Sequence, residues 1–398
     1  MLESISPAPP DAILGLTEAF KKDTNPDKIN LGVGVYQDDT GTTPILEAVK
    51  AAEEKLLKEE TSKSYLSISG SPQYTQCVQT LLFGDGHEIL SSGRAKTAHT
   101  PGGTGALRVG ADFLNQSLPD ASIWVSTPTW ANHKGIFSAS GFEIKDYPYY
   151  DPQTHGIEFG AMKKVLSNIP ENDIVLLHVC CHNPTGVDLE SEQWKEIAAI
   201  AKTQRWIPFL DFAYQGFGAS LEEDRRGLLG LLNIDTPLFV ANSFSKNVGL
   251  YRERTGALTV IAQDAFKADA IFSHIKATIR TNYSNPPAHG GSIVETILND
   301  DTLRQQWTEE LTDMRNQIAS VRSTLVQKLA EKDIPQDFSF IEKQKGMFSF
   351  SGLSDEQVTY LRENKAIYIV KGGRINVAGV TPQNIDYLCE SIREAIQQ

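Results

Sequence analysis

The stretch DIVLLHVCCHNPTG (Asp173–Gly186) decides how this chain folds. From Ile174 to Cys181 it is almost unbroken apolar sequence, and it ends in a polar turn, His182-Asn183-Pro184-Thr185-Gly186. A short apolar run of this kind reads as a strand covered on both faces, as in a parallel sheet with helices above and below. The neighbouring segments agree. Strands are predicted over Thr97–Thr100, Ser122–Ser126, Asp173–Cys181, Trp206–Phe212, Pro237–Ser243 and Gly256–Ile261. Amphipathic helical stretches lie around them: Pro44–Glu60, Pro72–Phe83, Thr104–Asn115, Leu189–Arg205 and Asp264–Arg280. That alternation predicts an α/β fold with a mainly parallel sheet flanked by helices.

The pattern changes near residue 300. Asp301–Lys332 is one long amphipathic run, predicted as a helix joining two domains. Short strands over Phe348–Ser351 and Arg374–Val377 and a last helix over Pro382–Ile396 predict a smaller α+β domain. The first 43 residues do not follow the sheet alternation. They either pack on the small domain or reach out to another subunit.

Composition narrows the function. The 398 residues suffice for two to three domains, and 40% hydrophobic with 22% charged residues is ordinary for a soluble globular protein. No apolar run is long enough to span a bilayer, and the start MLESISPAPPDAILG lacks the form of a secretory signal. A net charge of -13 repels phosphate backbones and anionic lipid, so neither nucleic acid nor membrane is expected as a partner. Four cysteines, two of them adjacent, form no disulfide framework and fit a cytoplasmic protein.

In an open α/β sheet, ligands bind beyond the carboxyl ends of the strands. There the predicted strands deliver Asn183, Asp211 with Tyr214, and Ser243 with Ser245 and Lys246. The turn Pro101-Gly102-Gly103-Thr104-Gly105 opens a helix at the same rim and exposes backbone N–H groups to an anion. It is not a dinucleotide fingerprint, because Arg108 stands where the third glycine belongs, and this argues against a nicotinamide-dependent dehydrogenase. Lys246 is either a solvated lysine or an amine able to form a Schiff base. Asp211 is either a capping or ion-paired carboxylate or the partner of a buried cation. Arg254 suits a phosphate, and Arg280 and Arg374 suit carboxylates, or each makes a surface salt bridge. His178, Cys180, Cys181 and His182 match no usual zinc spacing; as a strand, His178, Cys180 and His182 would share a face with Cys181 opposite, and no metal is expected.

Taken together, the segments resemble the class I aminotransferases that use pyridoxal phosphate (PLP), and most closely their aspartate and aromatic amino acid group. The resemblance is carried by NLGVGVY (Asn30–Tyr36), SKSYLSISG (Ser62–Gly70), TPGGTGALRVGADFL (Thr100–Leu114), TPTWANHKGIF (Thr127–Phe137), CCHNPTG (Cys180–Gly186), LDFAYQGFG (Leu210–Gly218), NSFSKNVGLYRERTGALTV (Asn242–Val260), IRTNYSNPPAHG (Ile279–Gly290), GMFSFSGL (Gly346–Leu353) and GRINVAG (Gly373–Gly379). It implies a seven-stranded sheet in a large PLP-binding domain. It further implies an N-terminal arm over residues 1–11, with residues 12–43 belonging to the small domain, 44–310 forming the large domain, and 311–398 completing the small one with the connecting helix.

The resemblance also implies roles. Lys246 holds PLP as a Schiff base, Asp211 faces the pyridine nitrogen, and Tyr214 and Asn183 hydrogen-bond the ring oxygen. Gly103, Thr104, Ser243, Ser245 and Arg254 hold the phosphate, and Trp130 stacks on the ring. Arg374 grips the substrate α-carboxylate and Gly34 lies in a loop over the substrate. Tyr65 and Arg280 reach across to a neighbouring subunit, Tyr65 to the phosphate and Arg280 to the distal carboxylate, which implies a homodimer with shared active sites. The implied reaction is ping-pong transfer of the amino group of L-aspartate, of aromatic amino acids, or of both, to 2-oxoglutarate. The alternatives are tyrosine or phenylalanine as the main substrate, another PLP reaction such as decarboxylation, or a non-catalytic relative. The family often carries serine where Gly102 stands and a basic residue where Gln37 stands.

Overall fold

The computed structural model describes residues 5–7 and 14–398. Apart from residues 5–7, the arm expected over residues 1–11 lies outside the described residues. The chain divides into two compact units: one holds the described residues up to Thr43 together with Gln317–Gln398, the other Pro44–Asn316.

Among the described residues, the larger unit contains one seven-stranded sheet. In chain order its strands are β1 (Ala95–Pro101), β2 (Ser122–Thr127), β3 (Glu143–Pro148), β4 (Ile174–His178), β5 (Ile207–Phe212), β6 (Leu238–Ser243) and β7 (Thr255–Ile261). Their spatial order is β1-β7-β6-β5-β4-β2-β3. β7 runs antiparallel to both its neighbours, and the remaining pairs are parallel. Thus β1, β2, β4, β5 and β6 all end at one rim, and β7 starts there. Every residue of β4, β5, β6 and β7 is buried, as the apolar run Ile174–Leu177 required.

The sheet holds its helices through side chains fitted at close range. In helix α1 (Gly102–Ser117), Leu107, Phe113 and Leu114 pack in one apolar cluster with Ile123, Phe209, Phe239 and Ile275. Gly110 on α1 meets the ring of Phe209, where a Cβ would come within 2.5 Å of Cζ. Only a glycine allows so close an approach. Helix α2 (Ala131–Ala139) follows β2 and buries His133, Ile136 and Phe137.

Two strand readings change. β4 stops at His178 rather than Cys181. Past it, Cys181 takes φ 52°, and the Asp188 carboxylate accepts hydrogen bonds from the backbone N–H groups of Cys181 and His182, at 2.7 and 2.8 Å. The turn therefore abolishes the strand alternation expected for His178, Cys180 and His182. β3 is absent from the six strands read from the sequence because EIKDYP is polar and sits on the sheet edge, where Lys134 and Asp146 pair at the surface.

The smaller unit is α+β. Ile29–Asn30 pairs in parallel with Ile367–Tyr368, and Phe348–Phe350 pairs antiparallel with Arg374–Asn376. Its helices include Asp355–Lys365, opened by a reciprocal cap between Ser354 and Gln357, and Ile385–Ile396. Helix α3 (Asp301–Ala330) runs 30 residues, its first half counted with the larger unit and its second with the smaller.

Candidate active site

At the rim of the larger unit the strand ends place four side chains together. Asp211 is the last residue but one of β5, and Tyr214 follows in the turn. Lys246 leaves β6 by three residues, and its Nζ lies 4.6 Å from the centre of the Tyr214 ring. Asn183, beyond β4, points its Nδ2 at the Tyr214 hydroxyl at 3.5 Å.

Asp211 is buried, so its charge needs support. His133 on α2 gives it, with Nε2 2.9 Å from Oδ2 of Asp211. Burial alone would raise the carboxyl. The hydrogen bond from His133 and the nearby His133, His178 and Lys246 groups outweigh it and hold Asp211 below the ordinary carboxylate range. An ionised carboxylate only accepts, so His133 must donate from Nε2. Its Nδ1 then takes the hydroxyl proton of Thr129 at 2.8 Å, and Thr129 in turn accepts from Nε2 of His178 at 3.3 Å. His182 is fixed in the same manner. Ser126 spends its proton on the Pro128 carbonyl, so it accepts from Nε2 of His182 at 3.0 Å, while Thr185 donates to Nδ1 at 2.8 Å. Burial drives His178 down to about 3 and His182 well below its usual value, so both rings stay neutral. His133 thus backs a carboxylate, with His178 behind it through Thr129, while the His182 ring is held by Ser126 and Thr185.

A second feature is an anion cup. Gly102 opens α1 at φ 71°, and a Cβ there would lie 2.5 Å from Nη2 of Arg254. A Cβ on Gly103 would lie 3.3 Å from Cβ of Ser243. The Ser243 hydroxyl donates to Oγ of Ser245 at 3.1 Å and accepts from the Ser245 backbone N–H at 3.2 Å. Two glycines without side chains, two hydroxyls, a guanidinium and the positive end of a 16-residue helix thus meet in one place. That donor set suits a phosphate dianion. Thr104 lies in the first turn of the same helix, and Trp130 stands edge-on to His133 with ring centroids 5.1 Å apart.

The other expected residues lie elsewhere. In the smaller unit Arg374 is 4% exposed, stacks 4.3 Å over the Phe348 ring and donates to the Gly32 carbonyl. Gly34 abuts the same ring, where a Cβ would come within 2.8 Å. Tyr65 is 93% exposed, and Arg280, also exposed, bonds Ser284 on its own helix end. His133 escaped the sequence reading. Its contact with Asp211 spans 78 positions, and no local motif around Thr129 and His133 marked it.

Comparison with known proteins bears on what such a site does. The family described as Aminotransferase class I and II matches residues 26–392. An aspartate aminotransferase of Salmonella typhi is 53% identical, over 98% of this chain and 99% of that one. An aromatic-amino-acid aminotransferase of Escherichia coli (strain K12) is 42% identical over 98% of this chain and 99% of its own. A solved structure of an aromatic-amino-acid aminotransferase from Burkholderia pseudomallei, covalently bound to pyridoxal phosphate, superposes with a TM-score of 0.97 at 45% identity, covering 100% of this chain and 99% of the other.

Proposed function

The chain belongs to the class I and II aminotransferases, and from that premise we propose that it is a pyridoxal phosphate-dependent enzyme moving the amino group of L-aspartate to 2-oxoglutarate, with the residues described above in the following roles. When bound, PLP supplies an aldehyde that takes the amino group and a ring that accepts the electron pair left as the Cα–H bond breaks.

The residues fit that group. Gly102, Gly103, Thr104, Ser243, Ser245 and Arg254 hold its phosphate. The side chain of Trp130 covers its ring. Asp211, anchored through Oδ2 by His133, offers its other oxygen to the proton on the ring nitrogen and keeps that proton in place. Tyr214 and Asn183 donate to the ring oxygen. Lys246 would carry the cofactor at rest, and once released its Nζ would serve as the base for the substrate Cα proton. Arg374 holds the α-carboxylate, and Gly34 leaves room for the loop above it.

Tyr65 and Arg280 serve the site of a second copy, Tyr65 at the phosphate and Arg280 at the distal carboxylate of a dicarboxylic substrate. Their exposure on this chain supports the assignment, and the active form is then a homodimer. Residues 44–310 act as the cofactor-binding domain, with 12–43 and 311–398 as the smaller one. Four buried cysteines, none in a disulfide, suit the reducing cytoplasm, and no helix among the described residues is long and apolar enough to cross a membrane.

One observation carries the reading: a buried carboxylate held ionised by His133 lies in the field of the Lys246 amine, itself against the Tyr214 ring. The test is Lys246→Ala. It should bind PLP yet lose turnover with aspartate and 2-oxoglutarate. Ordinary turnover by this variant would refute the role of Lys246.

A further inference from the structure

Behind the Lys246 turn, inside the larger unit, lies a cavity of about 410 Å³ that the reaction does not use. Its volume falls in the range of small-molecule sites. Helix Pro72–Phe83, the Leu221–Asp224 segment and the start of α3 line it, and it opens to solvent. Its lining is mostly polar, with Trp307, Leu81 and Leu221 supplying an apolar wall.

Its charged groups are arranged for a ligand. Arg225 and Arg304 both line the cavity. Among the described residues no carboxylate lies within ion-pair distance of Arg225, whose one hydrogen bond there is a long 3.4 Å contact to the Leu81 carbonyl. Arg304 has only the exposed Asp301, at 3.5 Å. Gly84, at φ 93°, keeps the space beside the Arg225 guanidinium clear, since a Cβ would lie 2.7 Å from Nη2. Asp85 and Glu222 line the cavity too. Guanidinium, carboxylate and apolar wall together match a zwitterion with an apolar tail.

The lining is also bonded to the catalytic turns. Trp307, 1% exposed, donates its indole N–H to the carbonyl of Asn247, the residue after Lys246, at 2.6 Å. Gln215, the residue after Tyr214, donates from Nε2 to the carbonyls of Leu81 and Leu221, each at 3.0 Å. Asn247 closes the circuit by donating from Nδ2 to the Gln215 carbonyl at 3.2 Å.

We propose that this cavity is a second ligand site, taking a free α-amino acid with an apolar side chain, and that its occupant acts on turnover through Trp307–Asn247 and Leu81–Gln215. The carboxylate meets Arg225 and Arg304, the ammonium meets Asp85 or Glu222, and the side chain lies on Trp307. The coupling rests on the roles given to Lys246 and Tyr214; the binding does not.

The test is calorimetric titration of L-leucine into borohydride-reduced holoenzyme, in which the cofactor is fixed and an added amino acid cannot displace it. Retention of the cofactor through dialysis checks the Lys246 assignment separately. Saturable binding is expected, lost in Arg225→Gln and in Arg304→Gln and kept in Arg226→Gln, whose side chain pairs with Glu223. In the unreduced enzyme L-leucine should lower kcat for aspartate, and Arg225→Gln should abolish that effect while leaving turnover without leucine unchanged. Absence of binding, binding indifferent to both arginines, or binding lost instead in Arg374→Ala would overturn the site. Binding with no change in kcat would overturn the coupling.

Discussion

His133 meets Asp211 at 2.9 Å with both side chains buried, so a ring from the helix after β2 fixes the charge at the end of β5. Removing that donor strands a buried carboxylate. His133→Leu should cost about 2–3 kcal/mol of stability, the price of an unsatisfied charged acceptor. His133→Gln, which keeps a donor, should cost less. Urea unfolding of the cofactor-free protein checks the order, and PLP should dissociate faster from the leucine variant.

Gly102 stands where the family often has serine, and the geometry says why a serine does not suit this chain. At φ 71° a side chain is strained by roughly 1–2 kcal/mol, and its Cβ would press on the Arg254 guanidinium. Gly102→Ser should therefore weaken PLP binding although it adds a hydroxyl. Cofactor release followed by absorbance would show the direction.

His99 sets an acid limit. Its ring is 1% exposed, neither nitrogen has a partner, and it packs 4.3 Å from the Tyr74 ring. Burial pushes it down to about 4. The unfolded chain protonates this group near pH 6.5, the native state only near 4. Stability is therefore full above the unfolded value, falls as pH drops between the two, and levels off below. By about pH 5 the loss from this one ring should be about 2 kcal/mol. In His99→Gln the difference in unfolding free energy between neutral pH and that point should shrink by a similar amount.

Much of this site was legible because strand ends announce themselves. Asp211 and Ser243 each close an apolar run, and Asn183 follows one. What the sequence concealed lies in contacts made at a distance. His133 sits on a nine-residue helix with no strong pattern, and its partner comes from another strand. The edge strand Glu143–Pro148 is polar and carried no apolar signal. The end of β4 was misread because Val179, Cys180 and Cys181 are buried as fully as a strand, though the Asp188 carboxylate has already turned the chain. Burial, and not extension, is what an apolar run reports.

Shared sites can be checked by mixing. Lys246→Ala and Arg280→Ala should each be nearly inactive toward aspartate. If Arg280 works in the partner's site, each mixed dimer has one site with both defects and one with neither. Equal mixing after unfolding and reassembly should restore activity at about a quarter of the sites. Failure of the mixture to recover would place Arg280 in its own chain's site or outside the reaction.

Arg374 is buried over Phe348 and bonded to the Gly32 carbonyl, so it is held before any substrate arrives. Arg374→Lys keeps the charge but loses the planar fork. Steady-state kinetics should show KM for aspartate and for 2-oxoglutarate rising together.

The reversed strand β7 has a consequence for how the protein is made. It lies between β1 and β6, with Thr255 opposite Pro101 and Gly256 opposite Ser243. The phosphate cup therefore does not exist until segments from the beginning and the end of the larger unit have found each other. Such distant pairings are slow steps. A nascent chain still lacking β7 carries the residues of the cup but not the strand that sets Gly102 beside Arg254, so a finished cup comes only after assembly.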